Sequence, residues 1–170
     1  MKTLLTITLL CSTLLFAGKS NKPGVAPVTY QLYIDECGSC HFAYQPGLLP
    51  QRSWNKLMAN LQDHFGTDAT LDEPEYTSIR RYLVANAADK AHQFKRSRKI
   101  DKKIYHYETP LAVTKTRYFI RKHDEIPKYL ITQKEVRSLS NCIACHTTAD
   151  KGIYSERAIK IPNYGGWDDD

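Results

Sequence analysis

The sequence predicts a mainly α-helical chain of two small units, each built around one Cys-x-x-Cys-His motif. Apolar residues recur at helical spacing in several segments, and the two motifs, at residues 37–41 and 142–146, stand about a hundred residues apart. Only residues 104–107 are a candidate short strand. Since 170 residues allow one ordinary domain or two small ones, each unit is expected to hold one motif.

The first 17 residues are expected to be a signal peptide and not part of the fold. Lys2 precedes an apolar run over residues 4–16, which is too short for a membrane span of about 20 residues and fits the apolar region of a leader. An uncleaved anchor is the alternative; a lipoprotein is less favoured because bulky Leu10 precedes Cys11. Cleavage removes Cys11, so all four remaining cysteines lie in the two motifs. We therefore expect export to the periplasm.

Each motif has the spacing that attaches a haem covalently. Two thiols add across the two vinyl groups of the porphyrin, and the His that follows places its imidazole over the iron. Zinc ribbons pair Cys-x-x-Cys motifs about 15–20 residues apart, and a dithiol redox motif expects a βαβ pattern; this sequence has neither. We therefore expect two covalently bound c-type haems. The expected attachment residues are Cys37, Cys40, Cys142 and Cys145, and the expected proximal iron ligands are His41 and His146.

In the first unit, residues 29–90, the spacing predicts three helices after a flexible leader at 18–28. The first ends in the motif and is followed by a loop over residues 44–50. The second is expected to begin at an N-cap Ser53 and to run to Phe65, and the third begins at Asp72. A backbone carbonyl of the loop 46–50 is the expected partner for the second ring nitrogen of His41.

Residues 91–103 are expected to be a basic linker to the second unit, residues 104–170. The run from Lys95 to Lys103 holds six basic residues and one acidic residue. A solvated linker is the first interpretation, and a docking patch for an acidic partner or an anionic membrane surface is the second. The chain's formal charge of +6 is largely offset by the carboxylates of two haems, so nucleic acid is not an expected partner.

The second axial ligand of each haem is expected to be histidine. Met58 is the one methionine outside the leader, and it lies within an apolar helical stripe, where core packing is its expected role. His64 stands just before Gly66 at the end of the second helix and is the expected distal ligand of the first haem. For the second haem, His123 shares a helical face with Phe119 and Ile120. His106 and His92 remain as alternatives.

Several strings resemble the bacterial periplasmic dihaem cytochrome c family. They are CGSCHFAYQPGLLP at 37–50, DHFG at 63–66, NAAD at 86–89, RYFIRKHDEIP at 117–127 and NCIACH at 141–146. The first unit also resembles a class I cytochrome c, with His64 where such proteins usually place methionine. The resemblance implies low-potential, bis-histidine electron carriers, and it supports His64 and His123 as distal ligands. Some family members act beside a membrane cytochrome b and a small high-spin cytochrome.

The expected function is therefore single-electron transfer, without a catalytic residue. The expected donor is a membrane protein such as a cytochrome b, and the expected acceptor is a soluble high-spin cytochrome. The alternative is a small dihaem enzyme, such as a peroxidase or a nitrogen-oxide reductase, with one open haem and acid–base groups beside it. A gas or redox sensor is a third class. Carbon monoxide binding separates these classes, because it requires an open or labile axial position.

Overall fold

A computed structural model describes residues 22–167 of the chain, and its regular structure is helical. The described residues form six α-helices and seven short 3-10 turns, of which four lie between helices and three follow the last helix. The α-helices are α1 (Gln31–Gly38), α2 (Gln51–Met58), α3 (Glu73–Ala85), α4 (Lys95–Asp101), α5 (Arg117–His123) and α6 (Lys128–Thr132). The mainly α prediction is confirmed. The expected signal peptide lies outside the described residues, and none of the described helices is long and apolar enough to cross a membrane.

In the first unit, α1, α2 and α3 enclose one apolar core. Its buried centre is formed by Tyr33, Leu49, Trp54, Met58, Ile79, Leu83 and Ala87. Trp54 is held by a 2.7 Å hydrogen bond from its Nε1 to the carbonyl of Pro46, which fixes the loop after the motif against α2. Since a buried indole N–H needs an acceptor, this bond explains why the loop 46–50 is buried.

The second helix differs from the prediction at both ends. It begins after Pro50, so Ser53 is a fully buried residue inside the helix and not its N-cap. It also ends at Met58, and a separate 3-10 turn at Leu61–Asp63 leads to His64. Pro50 has the extended conformation that the residue before a helix adopts, so the helix begins at Gln51. After Met58 the chain turns towards the first motif, so the helix does not continue to residue 65.

The second unit has two short α-helices, α5 and α6, and no strand among the described residues. The candidate strand at 104–107 is wrong: Ile104 is buried in a second apolar cluster, while Tyr105 and Tyr107 are exposed in a turn. Arg52 of α2 donates hydrogen bonds to the carbonyls of Tyr105 (2.9 Å) and Glu108 (2.5 Å). These bonds satisfy backbone groups that a strand would otherwise pair.

Two segments that were expected to be loose are packed between the units. Val25 of the expected flexible leader is fully buried, and the amide of Gly24 donates to the carbonyl of Gly152 at 2.8 Å. The expected basic linker contains helix α4, whose Ser97 and Ile100 are buried. The amide of Arg96 in turn donates to the carbonyl of Gly24 at 2.8 Å. Residues 24–25 and α4 therefore connect both units to one another.

Candidate haem-binding sites

The first motif begins inside α1, whose last two residues are Cys37 and Gly38, and His41 lies just beyond the end of the helix. Its Nδ1 lies 2.8 Å from the carbonyl oxygen of Phe42, so the ring donates there and leaves Nε2 available for a metal. The expected acceptor in the loop 46–50 is wrong. The neighbouring carbonyl is closer because the chain reverses direction directly after the motif.

The ring of His64 faces that of His41. Their centres are 6.1 Å apart and their planes differ by 26°. His64 is positioned by a tight loop in which it exchanges two backbone hydrogen bonds with Thr67, and Phe65 and Gly66 both have positive φ. The pKa of His64 is lowered, first by burial and then by the proximity of His41, which keeps the imidazole neutral and able to bind a metal.

The second motif lies on a 3-10 turn, Cys142–Ala144, and not on an α-helix. The amide of His146 donates to the carbonyl of Cys142 at 2.9 Å, and an isolated bridge to Ile159 holds its backbone from the other side. Burial, then His123 and Arg96, lower the pKa of His146 to about 4. Its Nδ1 is buried without a hydrogen-bond partner.

His123, at the end of α5, lies opposite His146 with a centre-to-centre distance of 6.1 Å and an interplanar angle of 74°. Its ring stacks on Phe119 at 3.8 Å, and its Nδ1 lies 2.9 Å from the carbonyl oxygen of Phe119. Both contacts come from one turn of α5 and leave Nε2 directed away from the helix. Burial lowers its pKa as well.

Both imidazole pairs fit one iron between them. A metal–imidazole bond is about 2 Å long and the ring centre lies about 1.1 Å beyond the nitrogen, so two axial imidazoles have centres about 6.2 Å apart. The observed 6.1 Å at each site matches this value. Among the described residues, no group of three or more His, Cys, Asp or Glu could hold a metal ion.

The space around the second pair is mainly apolar. A cavity that is partly open to solvent is lined there by both motif cysteines, both histidines and mainly apolar side chains, as a cofactor pocket is. Another cavity borders Cys40 and His41 but not His64. It lies beside the His41–His64 gap and does not enclose it.

The four cysteines are free thiols. Burial raises the pKa of Cys37 and of Cys142 to about 11. The two cysteines of each motif are close in sequence and lie beside a histidine of the same motif, which suits thioether attachment to a porphyrin.

The other candidate ligands lie elsewhere. His92 is exposed and its Nε2 is 2.7 Å from Asp101, while His106 is exposed and lies against Tyr107. Met58 is buried in the first core. Of the three candidates for the second haem, the structure brings only His123 to His146.

Sequence reasoning missed four residues that surround the two sites. Tyr44 contacts the ring of His41 at 5.2 Å and Tyr154 contacts that of His146 at 5.3 Å. Gln45, which follows Tyr44 in the chain, connects the two sites. It accepts a 2.6 Å hydrogen bond from the hydroxyl of Tyr154 and donates one to the carbonyl of Ala149. Arg96 borders the second cavity. The abundance of tyrosine was a general signal, but no motif singled out these positions.

Comparison with known proteins identifies the family. The family model for dihaem cytochrome c matches residues 33–154. The chain is 44% identical to the solved diheme cytochrome c from Rhodobacter sphaeroides, with a TM-score of 0.67 over 76% of this chain and all of that one. It is 40% identical to the diheme cytochrome c from Shewanella baltica OS155, with a TM-score of 0.66 over 81% of this chain and 96% of that one. The comparison with curated proteins found no match. The chain therefore belongs to the dihaem cytochrome c family and carries two c-type haems.

Proposed function

We propose that this chain, as a member of the dihaem cytochrome c family, carries single electrons in the periplasm between a membrane donor, such as a cytochrome b, and a soluble haem protein. The main support is the pair of facing imidazoles at each motif, with centres 6.1 Å apart. Each pair leaves room for one iron and for no substrate. Family membership implies electron transfer. We infer in addition the kind of donor and acceptor and the periplasmic location.

The proposed ligand pairs are His41 with His64 and His146 with His123. A bound haem with two axial histidines supplies a reversible one-electron couple and has no free coordination position. His41 and His123 are oriented by backbone carbonyls through Nδ1, so Nε2 is the nitrogen of each ring that would bind the iron. Preset ligands need little rearrangement when the charge of the iron changes, which favours fast electron exchange.

The carboxylates considered for acid–base chemistry are paired or exposed. Glu156, which borders the second cavity, is exposed and pairs with Lys122 at 2.9 Å. Glu108 is held by Arg117 at 2.5 Å, while Asp124 and Glu125 are exposed. General acid–base catalysis needs such a group within reach of a reacting atom at an open iron. These contacts favour a carrier over the alternative of a small dihaem enzyme.

The visible spectrum of the reduced holoprotein, before and after addition of carbon monoxide, tests this function. An unchanged low-spin spectrum is expected. A change at one haem in the wild-type protein would contradict the carrier function and favour an enzyme or sensor. His64→Ala and His123→Ala should each open one haem to carbon monoxide, whereas His92→Ala and His106→Ala are matched controls that should leave the spectrum unchanged.

The exposed face of α4 is the proposed docking surface for the soluble partner. Lys95, Arg98 and Lys99 are exposed there, and Lys102 and Lys103 follow directly after the helix. The opposite side of the helix carries Arg96, which borders the second cavity. A partner with an acidic surface would thus meet positive charge close to the second haem, and such steering weakens as salt screens it.

Neutralising this face tests the docking proposal. The Lys95→Gln, Arg98→Gln, Lys99→Gln variant should exchange electrons about tenfold more slowly with an acidic partner at low ionic strength, and the difference should vanish at high salt. The control variant Lys128→Gln, Lys134→Gln, Arg137→Gln removes three exposed basic side chains that lie outside α4. This variant should retain the wild-type rate. Equal rates for both variants would contradict docking through α4.

Export is the last part of the proposal. Residues 1–17 would direct secretion, because their apolar run is typical of an export leader. Haem would then be attached to the two Cys-x-x-Cys-His motifs in the compartment that receives the exported chain. Expression of the full chain should yield a shortened, haem-loaded protein in the periplasmic fraction. A full-length product in the membrane fraction would support the uncleaved anchor.

A further inference from the structure

Arg96 places a fixed positive charge in the wall of the second cavity. One terminal nitrogen of its guanidinium donates to the hydroxyl of Tyr118 at 2.8 Å and the other to the carbonyl of Tyr154 at 2.6 Å. The guanidinium carbon lies 5.8 Å and 5.4 Å from the centres of the same two tyrosine rings. These four contacts hold the charge in one place.

The partners of Arg96 do not neutralise it. All four contacts are to neutral groups, its Nε is buried without a hydrogen-bond partner, and no ion pair of Arg96 is present among the described residues. Glu156 borders the same cavity, but its carboxylate pairs with Lys122 at 2.9 Å, so the positive charge of Arg96 remains in excess there. Placing a cation in apolar surroundings is unfavourable unless other groups compensate, and cation–π contacts offset only part of that cost. The charge is therefore available to act on whatever occupies the cavity.

Arg96 and both histidines of the second site border the same cavity. A fixed positive charge in the wall of that cavity disfavours an added positive charge on an iron between the two rings.

The first site has no equivalent. Among the described residues, the cavity beside Cys40 and His41 is lined by Asp150 and by no lysine or arginine. The charged residues next to His64 in the sequence are acidic: Asp63 precedes it, and Asp68 follows one residue after its backbone partner Thr67. The two sites also differ in exposure to solvent: Cys40 and His41 at the first site are exposed, whereas Cys142 at the second site is buried.

We propose that Arg96 gives the haem on Cys142 and Cys145 the higher midpoint potential of the two. This inference rests on the proposed bis-histidine function, because identical axial ligands cannot distinguish the sites and leave charge and burial as the determinants. A fixed cation and a buried pocket both favour the reduced state, which has one positive charge fewer.

The difference in midpoint potential between the two haems sets the direction of electron transfer within the protein. A single electron that enters at the first site passes to the second, so that the first is oxidised and the second reduced, with no bond made or broken and no proton taken up. The electron then resides beside α4, whose exposed face is the proposed docking surface. The acceptor would thus meet the site that holds the electron.

Potentiometric titration of the holoprotein, followed by nuclear magnetic resonance, tests this assignment. The second haem is identified by its contacts with Phe119, and it should be the first to be reduced as the potential falls. Arg96→Met should lower its potential relative to the first haem by at least a tenfold change in the exchange equilibrium, or about 59 mV for one electron. Arg96→Lys, which keeps the charge, should recover most of that shift.

Arg98→Met is the matched control, because it removes one arginine charge from the exposed side of the same helix and should leave the difference between the haems unchanged. An equal effect of Arg98→Met, or a wild-type order in which the first haem is reduced first, would overturn the inference. If Arg96→Met fails to assemble, the wild-type order and Arg96→Lys still decide. Carbon monoxide binding by the wild-type protein would instead contradict the proposed function.

Discussion

The two haem sites have the same separation between facing imidazoles but are built in different ways. At the first site, three helices and a closed core surround the motif, and His64, the proposed distal ligand, projects from a tight loop. At the second, the motif lies on a 3-10 turn, and His123, the proposed distal ligand, lies at the end of the seven-residue helix α5. Both pairs nevertheless have ring centres 6.1 Å apart. The comparison teaches that different local structures can place two imidazoles at the same separation.

Removal of the haem attachment residues should show the largest difference between the sites. Cys142→Ser, Cys145→Ser leaves a large apolar cavity empty in a unit with only short helices, so residues 104–167 should lose their structure. Cys37→Ser, Cys40→Ser should leave more helix, because α2 and α3 pack on their own core. Circular dichroism and limited proteolysis measure both effects. Equal loss in the two variants would contradict this comparison, and retention of the wild-type helix content by a fully haem-free chain would show that the fold does not need its cofactors.

Two glycines with positive φ provide the next comparison. At Gly152, φ is +68° and an added Cβ would lie 2.0 Å from the carbonyl oxygen of Val25, so Gly152→Ala should destabilise the protein by about 2–4 kcal/mol. At Gly66, near the first site, φ is +85° with nothing within 4 Å, and Gly66→Ala should cost only about 1 kcal/mol. Chemical denaturation of the holoproteins measures both changes. Similar losses would mean that the contact between residues 24–25 and Gly152 does not stabilise the fold.

The bridge between the sites should have a smaller effect on stability. Tyr154→Phe removes the hydroxyl that donates to Gln45 at 2.6 Å and leaves a buried amide oxygen without its partner, so a loss of about 1–2 kcal/mol is expected. The exposed Tyr164 offers a matched control: Tyr164→Phe should change stability by less than about 0.5 kcal/mol. Denaturation curves of both variants measure these changes. Equal stability of the two variants would contradict a stabilising role for the Tyr154–Gln45 hydrogen bond between the units.

The smallest effect expected is spectroscopic. The imidazole planes differ by 26° at the first site and by 74° at the second, and the orientation of axial ligands influences the electronic structure of the iron. The two oxidised haems should therefore give two distinct low-spin signals in electron paramagnetic resonance. Arg98→Met, which lies outside both sites, should leave both signals in place. A single signal that accounts for both irons would contradict the difference in ligand orientation.

The sequence by itself determined the local chemistry. Cys-x-x-Cys-His is a contiguous pattern, so two copies predict two haems and two proximal ligands without knowledge of the fold. Helical spacing likewise predicted α1 and the face of α5 that carries Phe119 and His123. The scarcity of methionine, with Met58 within an apolar stripe, was enough to predict histidine as the second ligand type.

Only the tertiary structure decided which distant residues meet. His123, His106 and His92 were all candidates, and the packing of α5 against the second motif, with His92 paired to Asp101, separates them. The same holds for Val25, Gln45 and Arg96, because a flexible-looking leader, a loop residue and a member of a basic run have no local pattern that reveals burial. The physical reason is that covalent attachment depends on neighbours in sequence, whereas a distal ligand, an inter-site hydrogen bond and a buried charge depend on contacts between residues far apart in the chain.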